Sequence, residues 1–378
     1  MMEDEKEDLC LCALNRIFCY EPLLGLRLLE YFGTAAAVFE APGGRIGELL
    51  HARPELAARI RRDAIGESAR EYELLQSIDA HFVSLRHPAY PRMLRECPDR
   101  PLGLYVRAQT PPEDLFPGGE AVAFVGTRDL SPYGREWCGN LVSAIEESNH
   151  RPTIVSGLAF GIDYVAHATA LALGLPTVGV MATGIDRIYP SRHSALAEQM
   201  IRTPGCALVS CYPPGTPPSA NQFLSRNRII AGLCSATVLV ESKLKGGGLI
   251  TARHACSYDR DVYALPGRVD DIRSQGCNML LRNKTAEPVI SREDLLEKLG
   301  YKAPRLRKKD VLRRAADIFP DGSAELRLLR EVAADRGVDI RTLCERMEEP
   351  YPTVIAAALA LEGEGFLTMD ILQRCSLV

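Results

Sequence analysis

From Ala121 to Leu265 the chain repeats one pattern: a short apolar, β-branched run, then a turn, then a helix-like segment. The predicted strands are Val122–Gly126, Thr153–Ser156, Thr177–Met181, Ala207–Ser210, Thr237–Glu241 and Val262–Leu265. Helix-like segments Gly134–Glu147, Ile162–Leu173, Ser194–Ile201, Gln222–Leu233 and Leu249–Tyr258 separate most of them. Strands that are apolar throughout are covered on both faces, and helices between them supply that cover. The pattern predicts an α/β fold, a doubly wound and mostly parallel sheet. Such sheets bind ligands at the carboxyl ends of their strands.

Glycine-rich loops fall at those ends. One is Ser156-Gly157-Leu158-Ala159-Phe160-Gly161-Ile162-Asp163; another is Lys245-Gly246-Gly247-Gly248-Leu249-Ile250-Thr251. Each follows a strand and enters a helix, where bare backbone N–H groups and a helix N-terminus hold an anion. Gly157 permits a tight turn and Gly161 a close backbone approach to a ligand. Ser156 offers a hydroxyl. Asp163 is read either as a helix cap or as a ligand contact, and His167 as a packed core histidine. Three consecutive glycines cost conformational entropy, which approach to a charged ligand would justify at Gly246, Gly247 and Gly248. Lys243 and Lys245 add charge at the mouth.

Val125-Gly126-Thr127-Arg128 delivers an arginine to the same rim, suited to a bidentate phosphate contact. Phe223 precedes Arg226-Asn227-Arg228. Arginines beside an aromatic suit single-stranded nucleic acid, in which phosphates are neutralised and bases stack. Phe223 could equally face a helix core, and the arginines could brace a loop. The segment Thr183–Pro190 is either a turn or a further wall of the pocket.

Before the repeating pattern, residues 8–80 carry helical spacing of Leu9, Leu14, Ile17, Leu24 and Leu28, punctuated by Pro42-Gly43-Gly44. A Pro-rich stretch with one strand, Leu102–Val106, follows. The stretch Tyr301–Arg314 has seven basic residues and one acid, a basic linker. Beyond it, Leu326, Leu329 and Val332 mark one helix, Ile340–Met347 a second and Val354–Leu361 a third, before a final strand pair. The expected organisation is a helical domain over 1–85, of the SAM or helix-hairpin-helix kind, and a Rossmann-like domain over 86–300. A linker over 301–314 and a winged-helix-like domain over 315–378 follow.

The net charge of −4 gives no whole-chain case for nucleic acid. Between Ala220 and Lys284, however, ten Lys or Arg face five Asp or Glu. The twelve cysteines are scattered without zinc-ligand spacing. Buried reduced thiols, such as Cys206, Cys234 and Cys256, are the expectation. The acidic N-terminus is no secretory signal, and no apolar run approaches the ~20 residues of a membrane span. A cytoplasmic location without membrane contact is expected. No phosphate loop of the ATPase type, dinucleotide fingerprint, nucleophile elbow or metal cluster is present in the sequence. Phosphate grip without catalytic groups predicts a binding protein that is not an enzyme, with no metal and no cofactor.

The span from about Tyr90 to Ile290 closely resembles the DNA-processing protein A family (DprA, or Smf). The resemblance rests on Val125–Arg128, Ser156–Asp163 with His167, Gly184-Ile185-Asp186-Arg187-Ile188-Tyr189-Pro190, Arg226–Leu233, Gly248–Arg253 and Pro266-Gly267, in that order. It implies an extended Rossmann-like domain that binds single-stranded DNA without catalysis. It also implies protection of incoming strands in natural transformation, loading of the RecA recombinase, and a homodimer. By position, Arg128, Ser156, Gly157, Ala159, Gly161, Phe223, Arg226, Asn227, Arg228, Lys245, Gly246, Gly247, Gly248 and Thr251 would line the DNA groove. The chain departs from the family at Cys211, where Glu is common. It departs again at Gly246 and Gly248, where serines are usual, and at Leu224, where proline usually follows the phenylalanine. Backbone donors survive those changes; hydroxyl contacts do not.

Two other readings compete. One is a nucleoside monophosphate phosphoribohydrolase of the related nucleotide-binding superfamily, with Glu241 as the only nearby acid. The other is a scaffold whose core docks a protein partner.

Overall fold

The computed structural model describes residues 2–116, 120–148, 150–301, 308–335 and 337–377. Contacts divide the chain into two compact units, Met1–Lys302 and Ala303–Val378.

The first unit begins with helices α1 (Met2–Phe18), α2 (Pro22–Phe32), α3 (Ala35–Glu40), α4 (Gly43–Leu49), α5 (Pro54–Ala57) and α6 (Arg62–Ser77). Strand β1 (Ala80–Ser84), helix α7 (Arg92–Arg95) and strand β2 (Gly103–Arg107) follow. Then the alternation starts: β3 (Ala121–Val125), α8 (Pro132–Glu147), β4 (Thr153–Ser156), α9 (Ile162–Ala172), β5 (Thr177–Val180), α10 (Ser194–Arg202) and β6 (Ala207–Ser210). It continues with α11 (Ala220–Leu233), β7 (Ala236–Leu239), α12 (Gly247–Ser257), β8 (Asp261–Ala264), α13 (Gln275–Arg282), β9 (Glu287–Pro288) and α14 (Arg292–Lys298).

All nine strands form one sheet in the order β1-β2-β6-β5-β4-β3-β7-β8-β9. The β1–β2 and β2–β6 pairs are antiparallel, and the rest are parallel. The α/β fold with a mostly parallel, doubly wound sheet is therefore as the sequence predicts. Strand order runs outward from β3 to β6 on one side and from β7 to β9 on the other. The crevice between β3 and β7 is thus the switch point at which such sheets take ligands.

Residues of β3 show why both faces must be apolar. Val122 and Phe124 enter a core with Leu141 of α8 and Val165 of α9. Ala123 and Val125 point the other way, into a core with Ile229 of α11 and Leu249 of α12. A third core joins Leu11 and Leu14 of α1 to Phe82, Tyr105 and Leu208 of the sheet. The N-terminal helices therefore share a core with β1, β2 and β6, and no break in packing falls near residue 85.

All twelve cysteines are free thiols, and most are buried; Cys256 is exposed, unlike its expected burial. Cys256 lies near the end of α12, where its face of the helix meets solvent. Among the described residues no helix is long and apolar enough to cross a membrane.

In the second unit, α15 (Lys308–Ala316), α16 (Ala324–Ala334), α17 (Ile340–Met347) and α18 (Tyr351–Gly363) enclose a core of Leu326, Leu329, Val332, Leu343, Val354 and Leu361. Strands β10 (Val338–Asp339), β11 (Leu367–Met369) and β12 (Arg374–Leu377) form a small antiparallel sheet in the order β10-β12-β11. Of the expected basic linker over 301–314, residues 302–307 lie outside the described residues, and from Lys308 onward the chain is helical instead.

Candidate nucleic-acid interface

Loops leaving β3, β4 and β7 meet helix α11 around a hollow of ≈ 560 Å³ at the switch point. Its lining includes Arg128, Ala159, Phe223, Arg226, Asn227, Lys245, Gly246, Gly247, Gly248 and Thr251. The structure thus brings together ten of the fourteen residues named from the sequence. Ser156, Gly157, Gly161 and Arg228 are not among its walls. A hollow of similar size, ≈ 580 Å³, opens among the N-terminal helices beside Leu23, Arg27 and Arg86. The glycine loops converge on the first.

Helix α11 sets the floor. Ser219 caps it, accepting from the Gln222 amide at 3.4 Å. Phe223, Asn227 and Ile230 are spaced four and three residues apart, so they share one face, and that face lines the hollow. Phe223 therefore faces the hollow, not a helix core. The Arg128 guanidinium lies over its ring, 5.0 Å from the centroid. The Tyr189 ring lies beside it, with centroids 5.6 Å apart and planes tilted. An arginine over an aromatic ring is a cation–π contact, and it holds Arg128 at the rim.

Arg226 and Arg228 separate. Residues two apart on a helix differ by about 200° around its axis, so they cannot share a face. Arg226 is buried under the hollow. It donates to the Gly157 carbonyl at 2.6 Å and also to the Val180 carbonyl, tying the ends of β4 and β5 to α11. Arg228 points away and donates to the Asp99 carbonyl. Its expected place on the groove is corrected to a structural brace on another side of α11. Arg226 is both brace and floor.

The glycines divide by what their missing side chains would strike. At Gly161, φ is +84° and a Cβ would lie 2.1 Å from the Thr127 carbonyl oxygen. Its close approach is to the β3 loop, not to a ligand, and the Ile162 amide donates to that same oxygen at 3.2 Å. At Gly157 the neighbour is the Arg226 guanidinium. A Cβ on Gly246 would meet the Ser242 hydroxyl at 2.2 Å, and one on Gly248 would meet Leu239 at 2.7 Å. Gly247 alone of the triplet has open space beside it. Two of the three glycines therefore serve internal packing. Gly247 and Gly248 open α12, and the first amides of a helix have no intrahelical acceptor. Those N–H groups, with the helix dipole, make the Gly247 end an anion seat. Asn227 fixes it, donating to the Gly247 carbonyl at 3.3 Å.

Ser156 is fully buried and donates to the Phe124 carbonyl at 2.6 Å, so its hydroxyl faces the sheet. Asp163 accepts from the Ala159 amide at 3.2 Å, closing the loop ahead of α9. Burial pushes its carboxyl above the usual range, while the Arg226 guanidinium pulls the other way. His167 is buried, and Nδ1 lies 2.7 Å from the Thr177 hydroxyl. That hydroxyl donates onward to the Ile154 carbonyl, so it accepts from Nδ1–H. Burial holds the imidazole neutral, its pKa lowered to about 3.

One feature of the mouth went unread in the sequence, and one was read only as an alternative. Asp129 pairs with Lys243 at 2.9 Å and with Arg273 at 3.2 Å, holding two cations at the rim. The 183–190 loop, read as either a turn or a further wall, is not among the walls, and its Tyr189 touches the site through the Phe223 ring. Glu241, the acid available to a nucleotide hydrolase, is turned away. It is buried, accepts from the Ser131 amide at 3.1 Å and from the Ser131 hydroxyl, and lies against Gly134 at the start of α8.

Residues 81–300 match the family described as DNA recombination-mediator protein A. The chain is 35% identical over 284 residues to the protein Smf of Synechocystis, covering 74% of this chain and 69% of that one. Among solved structures, it is similar to DNA processing protein A of Streptococcus pneumoniae, with 29% identity and a TM-score of 0.59, over 77% of this chain and 96% of that one. It is also similar to a structure reported for the single-stranded DNA binding mode of DNA processing protein A from Helicobacter pylori. There the identity is 27% and the TM-score 0.51, over 59% of this chain and 98% of that one.

Proposed function

Given that the chain belongs to the DNA recombination-mediator protein A family, we propose that its strand-end hollow grips single-stranded DNA without catalysing a reaction on it. One observation carries the reading: Arg128 over Phe223 faces the Gly247 end of α12, so phosphate and base contacts meet in one hollow. Phosphates seat on the amides of α12 with Arg128 and Lys245, and a base stacks on Phe223. The protein then acts in the cytoplasm as a homodimer, protecting incoming strands in natural transformation or recombination and loading the RecA recombinase. The second unit, a small three-stranded sheet with helices, is the winged-helix-like module of that plan.

The hydrolase reading is less well supported, because Glu241 is engaged at α8. Incubation with AMP or CMP should release no free base. The deciding test is fluorescence anisotropy of labelled oligo-dT against a matched duplex over a salt series. Preference for the single strand, with a log–log slope of about −0.7 per neutralised phosphate, supports the proposal. Equal affinity for duplex, or no binding, rejects it.

A further inference from the structure

Rings outside the hollow form a second exposed cluster. Phe160 lies in the loop after β4, and Tyr164 in the first turn of α9. Both lie against His193, with ring centroids 4.7 Å and 4.8 Å away. His193 is buried, and its Nδ1 lies 2.9 Å from the Leu158 carbonyl, so it is a fixed backing plate. The outer rings are not core residues: Phe160 is 41% exposed and Tyr164 40%.

The two clusters are stitched by one loop. Tyr189 leans on Phe223, and His193, four residues later, backs Phe160 and Tyr164. Four residues of chain span at most about 14 Å, which bounds the gap between the two attachment points. Exposed Arg187 and Arg192 lie on the same loop, and neither makes a salt bridge among the described residues. Continuity with the hollow, solvent-facing rings and unpaired guanidiniums together suit one ligand, a flexible polyanion bearing flat bases.

We propose that Phe160 and Tyr164, backed by His193, form a second base-stacking subsite, so that a single strand leaves Phe223 and Tyr189 and crosses the 185–193 loop. The inference rests on the hollow binding single-stranded DNA. Arg187 and Arg192 neutralise the phosphates between the two stacks. Stacking is sequence-tolerant, since every base has a π-face, and it leaves the salt slope alone.

The test uses the full chain and oligo-dT of about 6 and about 16 nucleotides, within the range of known single-strand site sizes. Wild-type binding is measured first; absence of any single-strand binding would sink the hollow itself, separately from this subsite. Given wild-type binding, the double substitution Phe160→Ala/Tyr164→Ala should weaken the longer oligonucleotide roughly tenfold. The shorter one and the salt slope should stay unchanged. Arg187→Ala/Arg192→Ala should instead make the slope shallower by about 0.7 per lost contact. In the unaltered protein, the gain from the added nucleotides should vanish when those nucleotides are abasic. An abasic extension that binds as well as the thymidine one would overturn the proposal. So would an aromatic double variant, folded by circular dichroism, with wild-type affinity for the longer strand; such rings would then be free for a protein partner.

Discussion

The strand-end hollow and the outer face of the last helix of the second unit both meet solvent, yet their chemistry is opposite. The hollow gathers Arg128, Lys243 and Lys245 around aromatic rings and helix amides. Helix α18, Tyr351–Gly363, contains no Lys or Arg, and Leu359 and Tyr351 stand out in solvent. The turn between β11 and β12 ends in Ile371, 99% exposed, and Leu372. Affinity for nucleic acid comes first from phosphate neutralisation. A helix without cations and an apolar turn do not supply it, whatever the module's shape. The shape of a small module is therefore a weaker guide to what it binds than the charge on its exposed faces.

Acid should separate the two units most sharply. His167 has its pKa lowered to about 3 by burial, whereas an unfolded histidine titrates near 6.5. The stability this gives is present above pH ~6.5 and lost as pH falls toward 3, at up to ~1.4 kcal/mol per pH unit. The second unit contains no histidine and should hold through the upper part of that window. Urea midpoints followed against pH should fall for the first unit, and His167→Gln should flatten that dependence. Comparing the variant with wild type is essential, because Glu71 and Asp163 have raised pKa values and act in the opposite sense. An unchanged slope in the variant would show that His167 is not the group responsible.

Next in size is Arg128→Ala. Losing one phosphate contact and its hold over Phe223 should weaken single-strand binding about tenfold and make the salt slope shallower by about 0.7. Anisotropy across a salt series reads both. Smaller, and opposite in sign, is Asp129→Asn. Its carboxylate, whose pKa is lowered by hydrogen bonds from Lys243 and Arg273, occupies cations that a phosphate could use. The variant should bind the single strand roughly threefold tighter with a steeper slope; weaker binding would make Asp129 a support of the rim instead of a competitor. The smallest effect belongs to the second unit. Ile371→Ser/Leu372→Ser should leave single-strand affinity within about twofold, since the turn offers no phosphate contact. A tenfold loss in that variant would break the contrast.

Much of the sheet was legible because β3 to β8 are apolar on both faces and bounded by turns, which few other folds require. β1 was hidden: Ala80–Ser84 directly follows a long helix and pairs only at the sheet edge. β9 is two residues long, too short to leave a pattern. In the hollow, Arg128, Phe223, Lys245 and Gly247 were readable from glycine loops and charge. The parting of Arg226 from Arg228 was implicit in the predicted helix, through its 100° step. The pairing of Asp129 with Lys243 and Arg273 was not readable, because it joins loops more than a hundred residues apart. Nor were the duties of Gly161, Gly246 and Gly248, since what a Cβ would strike is fixed only by the folded neighbours.

Those neighbours change what the glycines mean. Gly161 rests on the Thr127 carbonyl, and Gly248 lies close enough to Gly126 that a Cβ would come within 3.2 Å of its Cα. Loops from three strands thus lock backbone against backbone. Glycine here gives stiffness, not slack, and the ordering cost is met at folding instead of at encounter. A strand arriving at this rim meets a surface already in its final shape. The Ile162 amide, bonded to the Thr127 carbonyl, should therefore exchange slowly even in the free protein, whereas the Gly247 and Gly248 amides, left without an intrahelical acceptor, should slow only when an anion covers them.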